Sequence, residues 1–327
     1  MQLRLIDGAS VRRLLPMEDC IATTRAAMIL VGDGGATQPI RTALQLPGET
    51  NLLGMMPGFT TDPRRLGIKL VTVFPGNFGS GLGSHQGMVA LFDASSGSPV
   101  ALVEGGAITA LRTGAASAVA TGVLARPDAR SLGIFGYGEQ AATHLEAIAL
   151  VRSLDYALVW GRSAQKAAAF AREQSRLRGL DVRVAESCEA VASACDILCT
   201  VTAAREPFLE GRWLRDGVHL NAVGASLPST AEIDVEAVVR ARFFSDFTPS
   251  ANALAGELRR AREQGAVDDS HVIGCIGDVL SGRVPGRLSR DDVTLFKSLG
   301  MIAEDLLAAD FVLRRAEELG SGVLVDF

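Results

Sequence analysis

Lysine is nearly absent from this chain: Lys69, Lys166 and Lys297 are the only three among 32 basic residues. Either GC-rich coding or a need for lysine chemistry at those three positions accounts for the skew. Aromatic residues are scarce, at 5% of 327, with two Trp and two Tyr. No basic block exists and the formal net charge is −5, so no nucleic-acid partner is expected. No uncharged apolar run approaches the ~20 residues of a spanning helix, so no membrane partner is expected either. The opening MQLRLIDGAS lacks a hydrophobic signal core, which predicts a cytoplasmic protein. The five cysteines (Cys20, Cys188, Cys195, Cys199, Cys275) show no C-x-x-C spacing, and an odd count speaks against a disulfide framework. The four histidines (His85, His144, His219, His271) are scattered, and no metal site is expected.

What is present is apolar mass. At 48% hydrophobic residues the chain can bury one large or two ordinary cores. Residues 10–35 are predicted as one helix, capped by Ser10 and stopped by Gly32, Gly34 and Gly35. Residues 39–104 change to short β-type runs, including a hairpin pattern in MVALFDASSGSPVALVE, and predict a mostly antiparallel sheet. Residues 105–125, rich in Ala, Gly, Thr and Ser, predict a helix that approaches its neighbours closely. From about residue 131, strands alternate with helices of 10–15 residues, the pattern of βαβ units and a parallel sheet. Residues 291–319 are predicted helical, with Gly320 as the stop. The fold class expected is therefore α/β: a Rossmann-type parallel-sheet domain plus an α+β domain with a mostly antiparallel sheet.

The parallel part carries a fingerprint. Gly136-Tyr137-Gly138-Glu139-Gln140-Ala141 is G-x-G-x-x-A, after a predicted strand and before a predicted helix. Gly136 permits the tight turn, Gly138 lets backbone approach a pyrophosphate, and Ala141 still allows close helix–strand packing. The amide groups at the helix start, beside Glu139 and Gln140, favour the anion. A second strand should end in an acid if NAD is preferred, because a carboxylate binds the ribose 2′-hydroxyl. Here the residues are Trp160-Gly161-Arg162-Ser163. Arg162 can pair with a 2′-phosphate and Ser163 can donate to it, so NADP(H) is expected over NAD(H); the alternative is that Arg162 is an ordinary solvated helix-start residue.

Three further residues stand out as charges among apolar neighbours. In LGIKLVTVF, strand alternation places Gly67, Lys69, Val71 and Val73 on one face, and Lys69 is their one charge. Burial lowers a lysine pKa towards neutrality and suits it to proton transfer, unless its stem merely snorkels to solvent. Arg112 is the only charge between Gly105 and Ala125 and needs an anion: a substrate carboxylate, a cofactor phosphate, or a protein carboxylate such as Glu104. Arg41, at the start of IRTALQL, is a weaker candidate of the same kind. The Gly-rich run 76–87 reads as a loop over a site, with His85 as either an acid or a structural residue.

These pieces together resemble the ornithine cyclodeaminase/mu-crystallin family, over nearly the whole length and in the same order. The matching segments are PIRTAL (Arg41), GIKLVTVFPGN (Lys69), SHQG (84–87), TALRTGAAS (Arg112), GYGEQAATH (136–144), NAVGAS (221–226) and LFKSLG (295–300). The resemblance implies a substrate-binding and dimerisation domain at 1–115, completed by 302–327, around an NADP-binding Rossmann domain at 116–301. It implies a homodimer. It places Arg41, Lys69 and Arg112 around the substrate carboxylate and its amine or imine, and Ser84, Arg112, Thr202, the turn Val223-Gly224-Ala225-Ser226 and Lys297 near the cofactor. One departure matters: the family's cyclodeaminases carry an acid after the paired glycines of that last strand, where this chain has Ser226. The GAS and SHQG forms look instead like the ketimine-reductase branch. The activity expected is NAD(P)H-dependent reduction of a cyclic imine carboxylate, Δ1-pyrroline-2-carboxylate or Δ1-piperideine-2-carboxylate, to L-proline or L-pipecolate. The alternatives are a reductive-aminating, alanine dehydrogenase-like enzyme, an ornithine cyclodeaminase, and an NADPH-dependent ligand-binding protein.

Overall fold

The protein is described here from a computed structural model covering residues 2–77, 82, 83 and 85–327. Its chain divides into two compact units, Met1–Arg112 with Met301–Phe327, and Thr113–Gly300. The first crossing falls inside the helix Gly105–Leu124, three residues before the expected boundary.

In the first unit, residues 10–35 form two helices rather than the one expected. Gly8–Leu14 and Met17–Gly32 are separated at Pro16, which has no N–H to continue the ladder and disfavours helix in the residue before it. Ser10 is not the cap. Asp7 is, accepting the Ser10 amide at 2.7 Å. Among the described residues the unit holds one sheet, in the order Val323–Asp326, Gln2–Ile6, Pro99–Glu104, His85–Phe92, Arg64–Val73, Leu52–Thr61, Ala36–Thr37, with Thr42–Gln45 also paired to Leu52–Thr61. Every pairing is antiparallel except Gln2–Ile6 with Pro99–Glu104. The hairpin 85–104 forms as the sequence predicts, with the Asp93 carboxylate gathering the Ser95 and Ser96 amides.

The predicted helix over 291–319 is overturned in its first part. Val293–Lys297 is a fully buried strand of the second unit, and the helix proper is Ile302–Glu318 in the first. A five-residue apolar run such as VTLFK carries no period that separates strand from helix. The helix Ile302–Glu318 lies against the buried face of Arg64–Val73. Two directly paired glycines, Gly58 and Gly67, make that approach possible. A Cβ on Gly67 would come within 2.5 Å of the Ala90 carbonyl and the Leu306 side chain, and one on Gly58 would strike Ile302.

The second unit is a parallel sheet in the order Asp181–Val184, Tyr156–Trp160, Ser131–Phe135, Ile197–Thr200, His219–Ala222, Val293–Lys297, Ala241–Ser245, Val272–Cys275. The chain runs outward from Ser131–Phe135 in one direction and then restarts beside it at Ile197–Thr200. That is the switch point where α/β sheets bind ligands beyond their carboxyl ends. The helix Gly105–Leu124 is long and apolar enough to span a bilayer by length and composition, Arg112 notwithstanding. Some 83% of its most apolar window is buried inside the protein, which makes it a core helix.

Candidate active site

The first unit buries a four-membered charge cluster. Alternation along Arg64–Val73 turns Gly67 and Lys69 inward as predicted, and Lys69 is 2% exposed. Its Nζ donates to Asp305 Oδ1 at 2.9 Å. Arg112, 6% exposed, donates from Nε to the same oxygen at 3.2 Å and from Nη1 to Glu304 Oε2 at 3.2 Å. Glu104 is not its partner; that carboxylate caps the helix Gly105–Leu124 through the Gly106 and Ala107 amides. Both acids sit in the first turn of Ile302–Glu318, where the positive end of the helix favours them. The net formal charge of the four is zero, which is how ions tolerate burial. Burial is the largest influence on Lys69 and pushes its pKa down to about 8, against the pull of Asp305. The snorkelling alternative is excluded, since the ammonium ends inside.

A second ion pair, Arg65 with Asp310, joins the same strand to the same helix. Arg41 is half-buried just before the strand Thr42–Gln45. His85 is exposed and opens the strand His85–Phe92, opposite Val73. It stands four residues along the sheet from Lys69, about 13 Å at the usual rise, so the structure does not bring it to the lysine. Ser84 lies outside the described residues, as do residues 78–81 of the glycine-rich run before it.

In the second unit the fingerprint forms the turn from the strand Ser131–Phe135 into the helix Glu139–Val151. Gly136 has φ +126°, which L side chains rarely adopt, and a Cβ there would lie 3.0 Å from the Val201 carbonyl. At Gly138, which starts the helix Glu139–Val151, a Cβ would meet nothing within 4 Å, so the backbone is open on that side. Ala141 is fully buried. His144 holds this helix in place, bridging Ser117 Oγ at 2.9 Å and the Gln140 carbonyl at 2.7 Å; burial pushes its pKa down to about 4. After Tyr156–Trp160, Arg162 and Lys166 are exposed and Ser163 caps the helix Ala164–Arg178 by accepting the Lys166 amide. Its hydroxyl proton stays available, and no acid follows this strand. A dinucleotide pyrophosphate fits the open helix start, and two cations with a second helix start suit a further phosphate.

The ends of the central strands are braced by carboxylates that sequence reasoning missed. Glu232, fully buried, accepts the Thr202 amide and hydroxyl, each at 2.7 Å, and the Gly224 amide at 2.7 Å. It thereby ties Thr202 to the 223–226 turn. Lys297, expected beside the cofactor, has no exposed surface and donates to the Ala225 carbonyl at 2.6 Å and to Glu257 at 3.1 Å. It supports the turn from beneath. Neither Glu232, in TAEIDVEA, nor Glu257, in AGELRR, stands out in the sequence, since acids are ordinary in such polar surroundings.

A Rossmann unit with a nucleotide cradle, joined to a unit with a buried lysine–arginine–carboxylate cluster, defines a dinucleotide-dependent oxidoreductase. The ornithine cyclodeaminase/mu-crystallin family model matches residues 4–320, and the chain belongs to that family. It is 38% identical to the ketimine reductase mu-crystallin of Mus musculus over 280 residues, 86% of this chain and 85% of that protein. It is 34% identical to a Δ1-pyrroline-2-carboxylate reductase of Bacillus cereus over 324 residues, 99% of each. Its fold matches the solved Δ1-pyrroline-2-carboxylate reductase of Thermococcus litoralis, in complex with NADH and L-proline, at TM-score 0.95 and 34% identity, covering 98% and 99% of the two chains.

Proposed function

We propose that this protein reduces a cyclic 2-carboxy-imine, Δ1-pyrroline-2-carboxylate or its six-membered homologue, to L-proline or L-pipecolate. The observation that carries the reading is the buried Lys69–Arg112 pair in a chain with Ser226 where a cyclodeaminase needs an acid. A preformed imine has no amine to eliminate, so it needs no such base. The full-length likeness to pyrroline-2-carboxylate reductases supports the same substrate class.

The nicotinamide, when bound, supplies the hydride that reduces the imine carbon. Gly136, Gly138 and the amides at Glu139 and Gln140 would hold its pyrophosphate, and Arg162 with Ser163 a 2′-phosphate. Glu232 and Lys297 keep Thr202 and the 223–226 turn fixed. In the first unit, Arg112 binds the substrate carboxylate as a guanidinium suits a planar anion, and Arg41 is its second cation. Lys69 uses one N–H on Asp305 and has two more to offer; with a pKa near 8 it is protonated at neutral pH and donates to the ring nitrogen. NADPH is preferred over NADH in this reading, and the working form is a cytoplasmic homodimer.

The test is loss of NADPH absorbance with Δ1-pyrroline-2-carboxylate, without ammonia and with NADH in parallel. Rapid oxidation, faster with NADPH, is expected. Silence with both cofactors overturns imine reduction; activity that appears only on adding ammonia and an open-chain 2-oxo acid replaces it with reductive amination.

A further inference from the structure

Asp305 is the common partner of both cations, and it lies 236 residues from Lys69 and 193 from Arg112. Its side chain has no exposed surface, and its second oxygen, Oδ2, meets no donor. A carboxylate with an unmet oxygen in such a place costs free energy, and packing alone would favour an apolar residue like the adjacent Leu306. We infer that Asp305 is a positioning residue for the reduction: it fixes the Lys69 ammonium beside the Arg112 guanidinium and keeps that ammonium charged between turnovers. The inference rests on the reading of Lys69 as the proton donor.

The surroundings support this. Lys69 is flanked in the sheet by Met56 and Val89, neither of which can hold a proton. The strand Leu52–Thr61 carries no titratable side chain, and the one on His85–Phe92, His85, sits four positions away. On its own strand Arg65, four residues along the same face, is paired to Asp310. From Gly105–Leu124 comes Arg112, which opposes a second positive charge; from Ile302–Glu318 come Glu304, which is bonded to Arg112, and Asp305. Cys20, on Met17–Gly32, is a buried thiol pushed up to about 12 and stays neutral. Burial and Arg112 both push Lys69 towards the free amine. Asp305 is the anion bonded directly to it and opposes them. Without Asp305 the lysine would deprotonate at lower pH and cease to be an acid in the working range.

The experiment compares pH profiles of kcat/KM for the wild type, Asp305→Asn, Asp305→Glu and Lys69→Met, with NADPH affinity by fluorescence. It adds a carbon-13 lysine spectrum, which three lysines make sparse enough to read. The expected result is an alkaline limb near pH 8 in the wild type that moves down by about 1–3 pH units in Asp305→Asn. The Lys69 resonance should move with it, Asp305→Glu should restore the limb towards the wild type, and NADPH affinity should not change. A uniform loss of rate with the limb and resonance unmoved overturns the inference and leaves Asp305 a packing residue. Wild-type turnover in Lys69→Met overturns it by removing the donor itself, a different failure. If Asp305→Asn does not fold, the double variant Lys69→Met/Asp305→Asn decides: recovered folding shows that the carboxylate is needed to hold the ammonium, and no recovery overturns it.

Discussion

Lys69 and Arg112 were conspicuous in the sequence because each is a lone charge in an apolar run, and burial of such a charge requires a reason. Their partners were not conspicuous. Glu304 and Asp305 open a helix, where acids are common for electrostatic reasons unrelated to catalysis. Nor was Glu232 visible, since a carboxylate that gathers two backbone amides leaves no local pattern. At this scale Lys69→Met should lower turnover by roughly 10²–10⁴-fold, the usual contribution of a positioned general acid, while fluorescence titration finds NADPH bound as in the wild type. Arg162→Glu tests the phosphate assignment: the KM for NADPH should rise by about 10–100-fold, as expected for losing a charge-assisted bond of about 1.5–3 kcal/mol, with NADH kinetics little altered. An equal loss with both cofactors would assign Arg162 to some other role.

At the scale of elements, the glycine pair Gly58–Gly67 links sequence to site. With no side chain at this one pair of positions, the helix Ile302–Glu318 comes down onto the sheet and sets Asp305 over Lys69. Gly67→Val should therefore destabilise the protein by about 1–3 kcal/mol, the cost of overpacking a tight contact, and lower kcat although Gly67 touches no reacting group. Thermal unfolding and steady-state kinetics on the same preparation read both effects. Gly136→Ala should weaken the binding of NADPH and NADH alike, because φ +126° strains any L side chain and the turn must shift. The elements misread from sequence were those without a usable period. Pro16 divided a pattern that looked continuous, and Val293–Lys297 was too short and too uniformly apolar to reveal itself as a strand.

For the whole molecule, buried titratable groups define a stability window. His144 and His219 are buried and neutral, pushed down to about 4 and about 3. Below about pH 6.5 the unfolded chain takes up protons there and the folded one does not, so stability falls as pH falls, by roughly 3 kcal/mol per histidine on reaching pH 4. Cys20, Cys188, Cys195 and Cys199 are pushed up to about 12 by burial, and Cys275 to about 11. Above about pH 9 the unfolded thiols ionise first, and stability falls again as pH rises. Calorimetry across pH 4–11 should show the highest melting temperature between about 7 and 9. A thiol reagent should find all five cysteines only after denaturation, since every one is buried; rapid labelling of the native protein would contradict that burial.

Sequence alone determined whatever depends on neighbours along the chain. The G-x-G-x-x-A turn, the absence of an acid near Arg162, the inward alternation of Lys69 and the alternating strands and helices are all properties of a few consecutive residues, fixed by backbone geometry and period. Tertiary structure decided which charges meet. Asp305 reaches Lys69 across 236 residues, and Lys297 reaches the Ala225 carbonyl across 72. The reason is that a buried charge is satisfied by whatever chain closure brings within about 3 Å, and closure is set by packing of the whole core rather than by any local spacing.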